Sequence, residues 1–240
     1  MAMTLDELVT QLRAAYGAEL ACVVLYGSAA SGEHVPRKSD YNVLVLLNRI
    51  SADTLAPASA VAREWKDAGN PPPMTMTVEE WRSSDDIFPM EYADILEGHR
   101  VLFGSAPFDG VRISLRFLRL QLESQVMGKL LQLRQGALLA GTDGKRQLEL
   151  ISASFSTIMV LFRAVVRLQG DHPPADNVSL SEQVARLAGF DPSPFTRAAN
   201  HHRGDARIST TEAGSVLAQY LSGVGQLKAY LDTFLTQESK

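Results

Sequence analysis

Early in the chain two polar clusters interrupt apolar runs. Leu25-Tyr26 gives way to Gly27-Ser28, and the small residues Ala29, Ala30, Ser31 and Gly32 follow. After a basic link containing His34, Arg37 and Lys38, the stretch Ser39-Asp40-Tyr41-Asn42 opens a second apolar run, Val43 to Leu47. Gly27 lets the backbone turn tightly, and the small residues leave N–H groups open where phosphate oxygens are held well. Side chains alternate along a strand, so Asp40 and Asn42 are expected to share one face and to reach one bound cation, with Tyr41 on the other face. Arg37, Lys38 and His34 fall in the loop where a positive charge can touch a phosphate, which makes Arg37 and Lys38 nucleotide-binding candidates. The chemistry that such a set supports is the handling of a phosphate chain beside a divalent metal ion.

These residues resemble the nucleotidyltransferase superfamily, whose fold is shared by DNA polymerase β, the minimal nucleotidyltransferases and the kanamycin-type enzymes. Its pattern is Gly-Ser, a spacer, then Asp-x-Asp at the head of a strand. Gly27, Ser28 and Asp40 match it, and Gly32-Glu33 and Ser39 match the usual filler. Asn42 departs from it, standing where the pattern has its second acid. The resemblance implies that Gly27 and Ser28 hold the triphosphate of a nucleotide, that Asp40 is the catalytic acid, and that Asp40 and Asn42 hold Mg2+ or Mn2+. It also implies a further carboxylate on a third strand. Met74-Thr75-Met76-Thr77-Val78 alternates as that strand would and has none. Glu91 and Asp94 are the nearest substitutes, with Glu91 taken as the metal ligand. Their spacing puts them on one face of a helix but on opposite faces of a strand. A second Gly-Ser pair, Gly104-Ser105, has no acid-x-acid after it and reads as a linker.

Two functions are compatible with this pattern. One is an enzyme that moves a nucleoside monophosphate from a triphosphate to an acceptor, whose identity would be set by the helical half and the loops. The other is a module that keeps the fold and pocket without turnover, because Asn42 offers an oxygen but no charge.

The elements that must position these residues are a sheet and its helices. Thr4-Leu5-Asp6-Glu7 is a capping box heading a helix with Leu5, Leu8, Leu12 and Tyr16 on one stripe, ended by Gly17. Ala21–Tyr26 is the first strand. Residues 51–68 read as one helix, with Pro57 near its first turns. Asn70-Pro71-Pro72-Pro73 forces an extended turn before the third strand, and Glu79 and Glu80 suit the first turn of a helix. The turn-rich stretch 104–110 reads as a link, after which the periodicity is helical over 111–140 and 145–169. Capping boxes at Ser179-x-x-Glu182 and Ser209-x-x-Glu212 head a short and a long helix. The expected fold class is α+β: a nucleotidyltransferase-like mixed sheet with flanking helices over 1–104, then an all-α helical bundle over 111–240.

Composition sets outer bounds. The 240 residues are 45% hydrophobic and 21% charged, enough for a substantial core. Residues 1–105 carry 8 Lys and Arg against 15 Asp and Glu, while residues 106–240 carry 15 against 12. The overall acidity, with a pI near 5.7, argues against a nucleic-acid partner held by phosphate neutralisation. Cys22 is the only cysteine, which excludes an intramolecular disulfide and a cysteine-based zinc site. No membrane-length apolar run and no leader pattern are read, so a soluble cytoplasmic protein is expected. Exposed apolar surface on the bundle would point to a homodimer. The adjacent His201 and His202 diverge on a helix and read as surface. Arg116, Arg119, Arg163 and Arg167 read as a solvated stripe.

Overall fold

Strands β1 (Leu20–Tyr26) and β2 (Asn42–Leu47) are apolar on both faces, which commits their sheet to burial between two layers. The structure is a computed structural model describing residues 3–30 and 40–234. With β3 (Met74–Thr77) and β4 (His99–Gly104) the strands form one mixed sheet in the order β3-β2-β1-β4. β1 runs antiparallel to β2 and β4, and β2 runs parallel to β3.

The covering helices are α1 (Leu5–Tyr16), α2 (Ala52–Leu55), α3 (Ser59–Asp67), α4 (Val78–Ser83) and α5 (Pro89–Glu97). Val23, Leu25, Val43, Val45 and Leu47 pack with Leu8 and Leu12 of α1 and with Val61 and Trp65 of α3. On the other face Cys22, Val24, Leu44 and Leu46 pack with Trp81 of α4 and with Tyr92 and Ile95 of α5. Cys22 is fully buried there, and desolvation pushes its thiol up to about 11.

Local chemistry sets the boundaries. The Thr4 hydroxyl accepts from the Glu7 N–H at 3.3 Å, and the Glu7 carboxylate accepts from the Thr4 N–H at 2.8 Å, so the expected capping box heads α1. The single helix expected over 51–68 is instead α2, a 3-10 turn at Ala56–Ala58 and α3. Pro57 lies inside that turn, and its missing N–H is the reason the α-helical ladder cannot run through. β3 stops one residue earlier than expected because Thr77 caps α4. Its hydroxyl accepts from the Glu80 N–H at 3.0 Å, while Glu80 accepts from the Thr77 N–H at 2.7 Å.

Gly104 is not part of a linker. It ends β4 at φ +74°, and a β-carbon there would lie 2.0 Å from the Ala21 carbonyl oxygen. Beyond it Ala106, Phe108, Val111 and Ile113 pack on the Trp81 layer, and the Trp81 indole donates to the Pro107 carbonyl at 3.2 Å. The chain divides into two compact units, Met1–Ile113 and Ser114–Lys240.

The second unit consists, among the described residues, of α6 (Leu115–Ala140), α7 (Gly144–Leu168), α8 (Asn177–Ala188), α9 (Ser193–Arg203) and α10 (Ala213–Thr233). By length and composition α7 could cross a membrane, but 56% of its apolar window is buried inside the structure, which is how a bundle's core helix behaves. Phe162 of α7, Phe195 of α9 and Tyr220 of α10 pack in sequence with tilted rings, their centroids 5.0 and 4.5 Å apart. α8 starts two residues before the expected box, because Asp176 is its cap and accepts from the Ser179 N–H at 2.9 Å. Those hydrogen bonds from Ser179 hold the Asp176 carboxyl below its usual range. Ser209 and Glu212 do pair, but α10 begins just after them.

Candidate functional site

β1 delivers Tyr26 to the sheet's end, opposite Asn42 in β2 and His99 in β4. The chain then leaves the strand at Gly27, whose φ of +74° is a conformation that side chains disfavour. Gly27–Ala29 forms one 3-10 turn with Ser28 at its middle, closed by the Ala30 N–H donating to the Gly27 carbonyl at 2.9 Å. A β-carbon on Gly27 would lie 3.3 Å from Asn42 Nδ2 and 3.7 Å from Asp94 Oδ2. An amide from β2 and a carboxylate from α5 therefore meet at the turn, within about 7 Å of one another.

Strand alternation explains the amide. Tyr41, Val43 and Val45 belong to the α1 and α3 side, where the Tyr41 ring lies 6.0 Å from that of Trp65. Leu44 and Leu46 belong to the α4 and α5 side, and Asn42 shares their parity.

The carboxylate depends on α5. Pro89 occupies its first turn, where a missing N–H costs nothing. Tyr92 stacks on Trp81 with centroids 4.0 Å apart and donates its hydroxyl hydrogen to the Trp81 carbonyl at 2.6 Å, locking α5 to α4. Because the segment is helical, Glu91 and Asp94 share a face. The Gly98 N–H donates to the Asp94 carbonyl at 3.2 Å, and the Gly27 N–H donates to the Gly98 carbonyl at 3.3 Å, so the end of α5 is tied to the turn itself. Burial pushes the Tyr26 hydroxyl up to about 12, with the charges of Asp94 and then Glu91 adding to it.

The other candidates are placed as follows. Asp40 is exposed and precedes β2, which begins only at Asn42. The alternation expected to align Asp40 with Asn42 thus rests on an upstream residue that pairs with no strand. The Tyr41 N–H donates instead to the Asn70 side chain at 3.0 Å. Arg37, Lys38 and His34 lie outside the described residues. Glu91 is half-buried one turn before Asp94, and of the two acids it is Asp94 whose carboxylate lies against Gly27.

Among the described residues no three His, Cys, Asp or Glu side chains gather as a ready ion site. At the turn the structure places the Asn42 amide nitrogen and one Asp94 carboxylate oxygen, and of these only the carboxylate is the type of donor that Mg2+ or Mn2+ takes. The position of the absent Gly27 side chain lies within 4 Å of both groups.

Elsewhere polar groups act structurally. A cavity of about 220 Å3, lined by Leu8, Leu12, Tyr16, Val45, Val61 and Thr75 among others, lies on the α1 and α3 side of the sheet and contains none of the candidate residues. His201 Nδ1 accepts from the Ile208 N–H at 3.2 Å, closing the loop after α9. Arg119 binds Glu123 at 2.8 Å and the Leu231 carbonyl at 3.2 Å, pinning α10 to α6, and Arg163 donates to Asn177 at 3.0 Å.

No protein-family model matches the sequence, and no curated protein matches it. Solved structures that match include the spectinomycin adenyltransferase AAD(9) from Enterococcus faecialis, determined with ATP and spectinomycin. The similarity has a TM-score of 0.62, covers 95% of this chain and 98% of that chain, and runs at 11% sequence identity. At that identity the likeness is one of fold. The chain therefore has the nucleotidyltransferase fold, a mixed four-stranded sheet with flanking helices, followed by a helical region.

Proposed function

We propose that this protein is a nucleotidyltransferase that binds a nucleoside triphosphate and a divalent cation and transfers the nucleoside monophosphate to an acceptor hydroxyl. The observation that carries the reading is the meeting of Asn42 and Asp94 at the Gly27 turn, in a fold shared with an adenyltransferase. In the reaction the acceptor oxygen attacks the α-phosphorus and a new P–O bond forms. The bond to the bridging oxygen breaks, pyrophosphate leaves, and the hydroxyl proton is released. The turn offers N–H groups to phosphate oxygens, with Ser28 beside them and Arg37 and Lys38 as cationic partners. Asp40, Asn42 and an α5 acid are the groups that would hold Mg2+ or Mn2+. When bound, such an ion neutralises charge on the attacking and leaving oxygens.

Calorimetry with ATP, CTP, GTP and UTP, with and without magnesium, tests the pocket. Pyrophosphate release with a panel of hydroxyl acceptors tests the transfer. ATP and spectinomycin come first, because the matched structure was determined with both. The expected result is binding of at least one triphosphate and release that disappears in Asp40→Ala. A folded protein that binds none of the four at millimolar concentration overturns the reading.

A second reading, a binding module without turnover, is favoured by Asn42, which carries no charge where the family pattern has an acid. Each ~1.4 kcal/mol lost from the transition state is about tenfold in rate, so a missing anionic ligand removes several such factors if nothing replaces it. Triphosphate binding without release, unchanged by Asp40→Ala, would establish the module.

A further inference from the structure

α6 is apolar on two sides, and among the described residues only one of them is covered. Leu118, Leu122, Val126, Leu130 and Leu133 are buried. On the opposite side, spaced by three, four or seven residues, Phe117, Leu120, Leu131 and Leu138 are exposed, Leu138 to 83%, with the half-buried Met127 in the middle of their stripe. We infer that this face pairs with the same face of a second copy of the chain, α6 against α6 and antiparallel about a two-fold axis. The inference does not depend on the nucleotidyltransferase reading.

The midpoint of Leu115–Ala140 falls between Met127 and Gly128. A glycine in a helix interior costs stability relative to alanine, so its presence there needs a reason. Gly136 has one within the chain, because a β-carbon there would lie 2.5 Å from Leu150 Cδ1 of α7. At Gly128 no described atom lies within 4 Å of that point, and a helix crossing at the midpoint would supply the reason. An axis through the midpoint also makes the stripe self-complementary, as a two-fold contact requires. Phe117 comes level with Leu138 of the second copy, Leu120 with Gln135, Ser124 with Leu131, and Met127 with Gly128. Large thus meets small at the centre, and apolar meets apolar at the ends. On one edge Glu123, which also binds Arg119, falls within about 3 Å of level with Arg134 of the second copy, so opposite charges meet there on both sides of the axis. The other edge, Gln121, Gln125 and Gln132, is uncharged. A helix that lies on a lipid surface is rich in Lys and Arg outside its apolar face, which disfavours lipid as the occupant.

The area is sufficient. α6 has 26 residues and is about 39 Å long. Over that length a contact about 20 Å wide, taking in the exposed Val160 of the adjoining α7, covers about 800 Å2 on each copy, the size of a specific dimer interface.

Sedimentation velocity on the full chain over a range of concentrations tests the inference for the natural protein, Leu131→Glu and Gly128→Leu. Ile87→Glu serves as a control on another exposed apolar side chain. Circular dichroism verifies the fold of each. The expected result is a concentration-dependent dimer of the 26.2 kDa chain. Its Kd should rise by about tenfold or more in Leu131→Glu and in Gly128→Leu, and stay unchanged in Ile87→Glu. Gly128→Leu starts in open space and favours the helix, so its monomer should resist urea at least as well as the natural one, and weaker pairing then cannot come from misfolding. Oxidised Gly128→Cys should form a disulfide-linked dimer. Leu138→Cys should not, because the two copies of residue 138 lie about 30 Å apart across the axis. Cys22 is buried and does not interfere. A monomer at every concentration overturns the inference, as does a dimer that Leu131→Glu and Gly128→Leu leave intact or that Ile87→Glu weakens equally. Self-linkage of Leu138→Cys as readily as of Gly128→Cys overturns the antiparallel pairing. Binding of a monomer to anionic vesicles, lost in Leu131→Glu, overturns it too and assigns the face to lipid.

Discussion

The chain has two Gly-Ser pairs at strand ends, and they answer to different needs. Gly27 follows β1 and Gly104 ends β4, both at φ +74°. At Gly104 the missing side chain makes room for main chain, with the Ala21 carbonyl oxygen 2.0 Å from where a β-carbon would be. At Gly27 it leaves room between two polar side chains. Dipeptide and backbone angle are the same; only the neighbours differ. A glycine against backbone is a packing requirement, whereas one flanked by an amide and a carboxylate keeps a space in which chemistry can take place.

Substitution at the two positions separates these roles. Gly104→Ala should have the largest effect, about 3 kcal/mol or more in urea unfolding, since the β-carbon collides with a carbonyl that cannot move without parting β1 from β4. Gly27→Ala should cost only about 1–2 kcal/mol for its left-handed backbone, because the Asn42 amide can shift by the few tenths of an ångström required. Triphosphate affinity should nevertheless fall by about tenfold or more, as the turn's N–H groups and the Asn42 and Asp94 side chains are displaced. The reverse order, with Gly27→Ala unfolding the protein and Gly104→Ala tolerated, would dissolve the comparison.

Next in size is Tyr92→Phe, which strands the buried Trp81 carbonyl and should cost about 1 kcal/mol in the same measurement. Since α5 then loses a lock, triphosphate affinity should fall with it. Unchanged binding would show that Asp94 is held by the backbone bonds alone. The smallest effect concerns the Tyr26 hydroxyl. Asp94→Asn should lower its pKa part of the way back toward the ordinary value, leaving the larger contribution of burial in place, as read from tyrosinate absorbance. The sign for stability follows. Between about 10 and about 12 the native state holds the Tyr26 proton while the unfolded chain releases it, so stability falls as pH rises through that window. Tyr26→Phe should flatten part of that fall.

Much of the first unit was legible in the sequence because its signals are local. The Thr4 box, the apolar runs of β1 and β2 and the proline turn before β3 each involve adjacent residues. What was not legible depends on partners far along the chain. Asp94 is ambiguous in the sequence because its segment suits helix or strand by spacing, and the choice decides where the acid points. Pro89 at the helix start and the Tyr92 anchor on Trp81 settle it as helix. Gly104 reads as a linker in the sequence because its need for a missing side chain comes from Ala21, on another strand. Alternation aligns Asp40 with Asn42 only when it is extended past the point where pairing starts. In the second unit the Ser179 box lost to Asp176, a capping residue further upstream that the same local reasoning passes over.

Cys22 sits opposite Leu46 in β2 and Gly104 in β4, fully buried, with its thiol pushed up to about 11. Only the thiolate reacts readily, and at neutral pH this sulfur is both protonated and out of reach. A thiol reagent can therefore modify the native protein only in moments when the sheet parts, and as the chain's only cysteine it yields a single, unambiguous signal. The same strand ends at the Gly27 turn, so any ligand that binds there only in the closed sheet should slow the labelling by a factor of 1 + [L]/Kd. The chain thus carries its own binding assay, one that needs neither a known acceptor nor turnover.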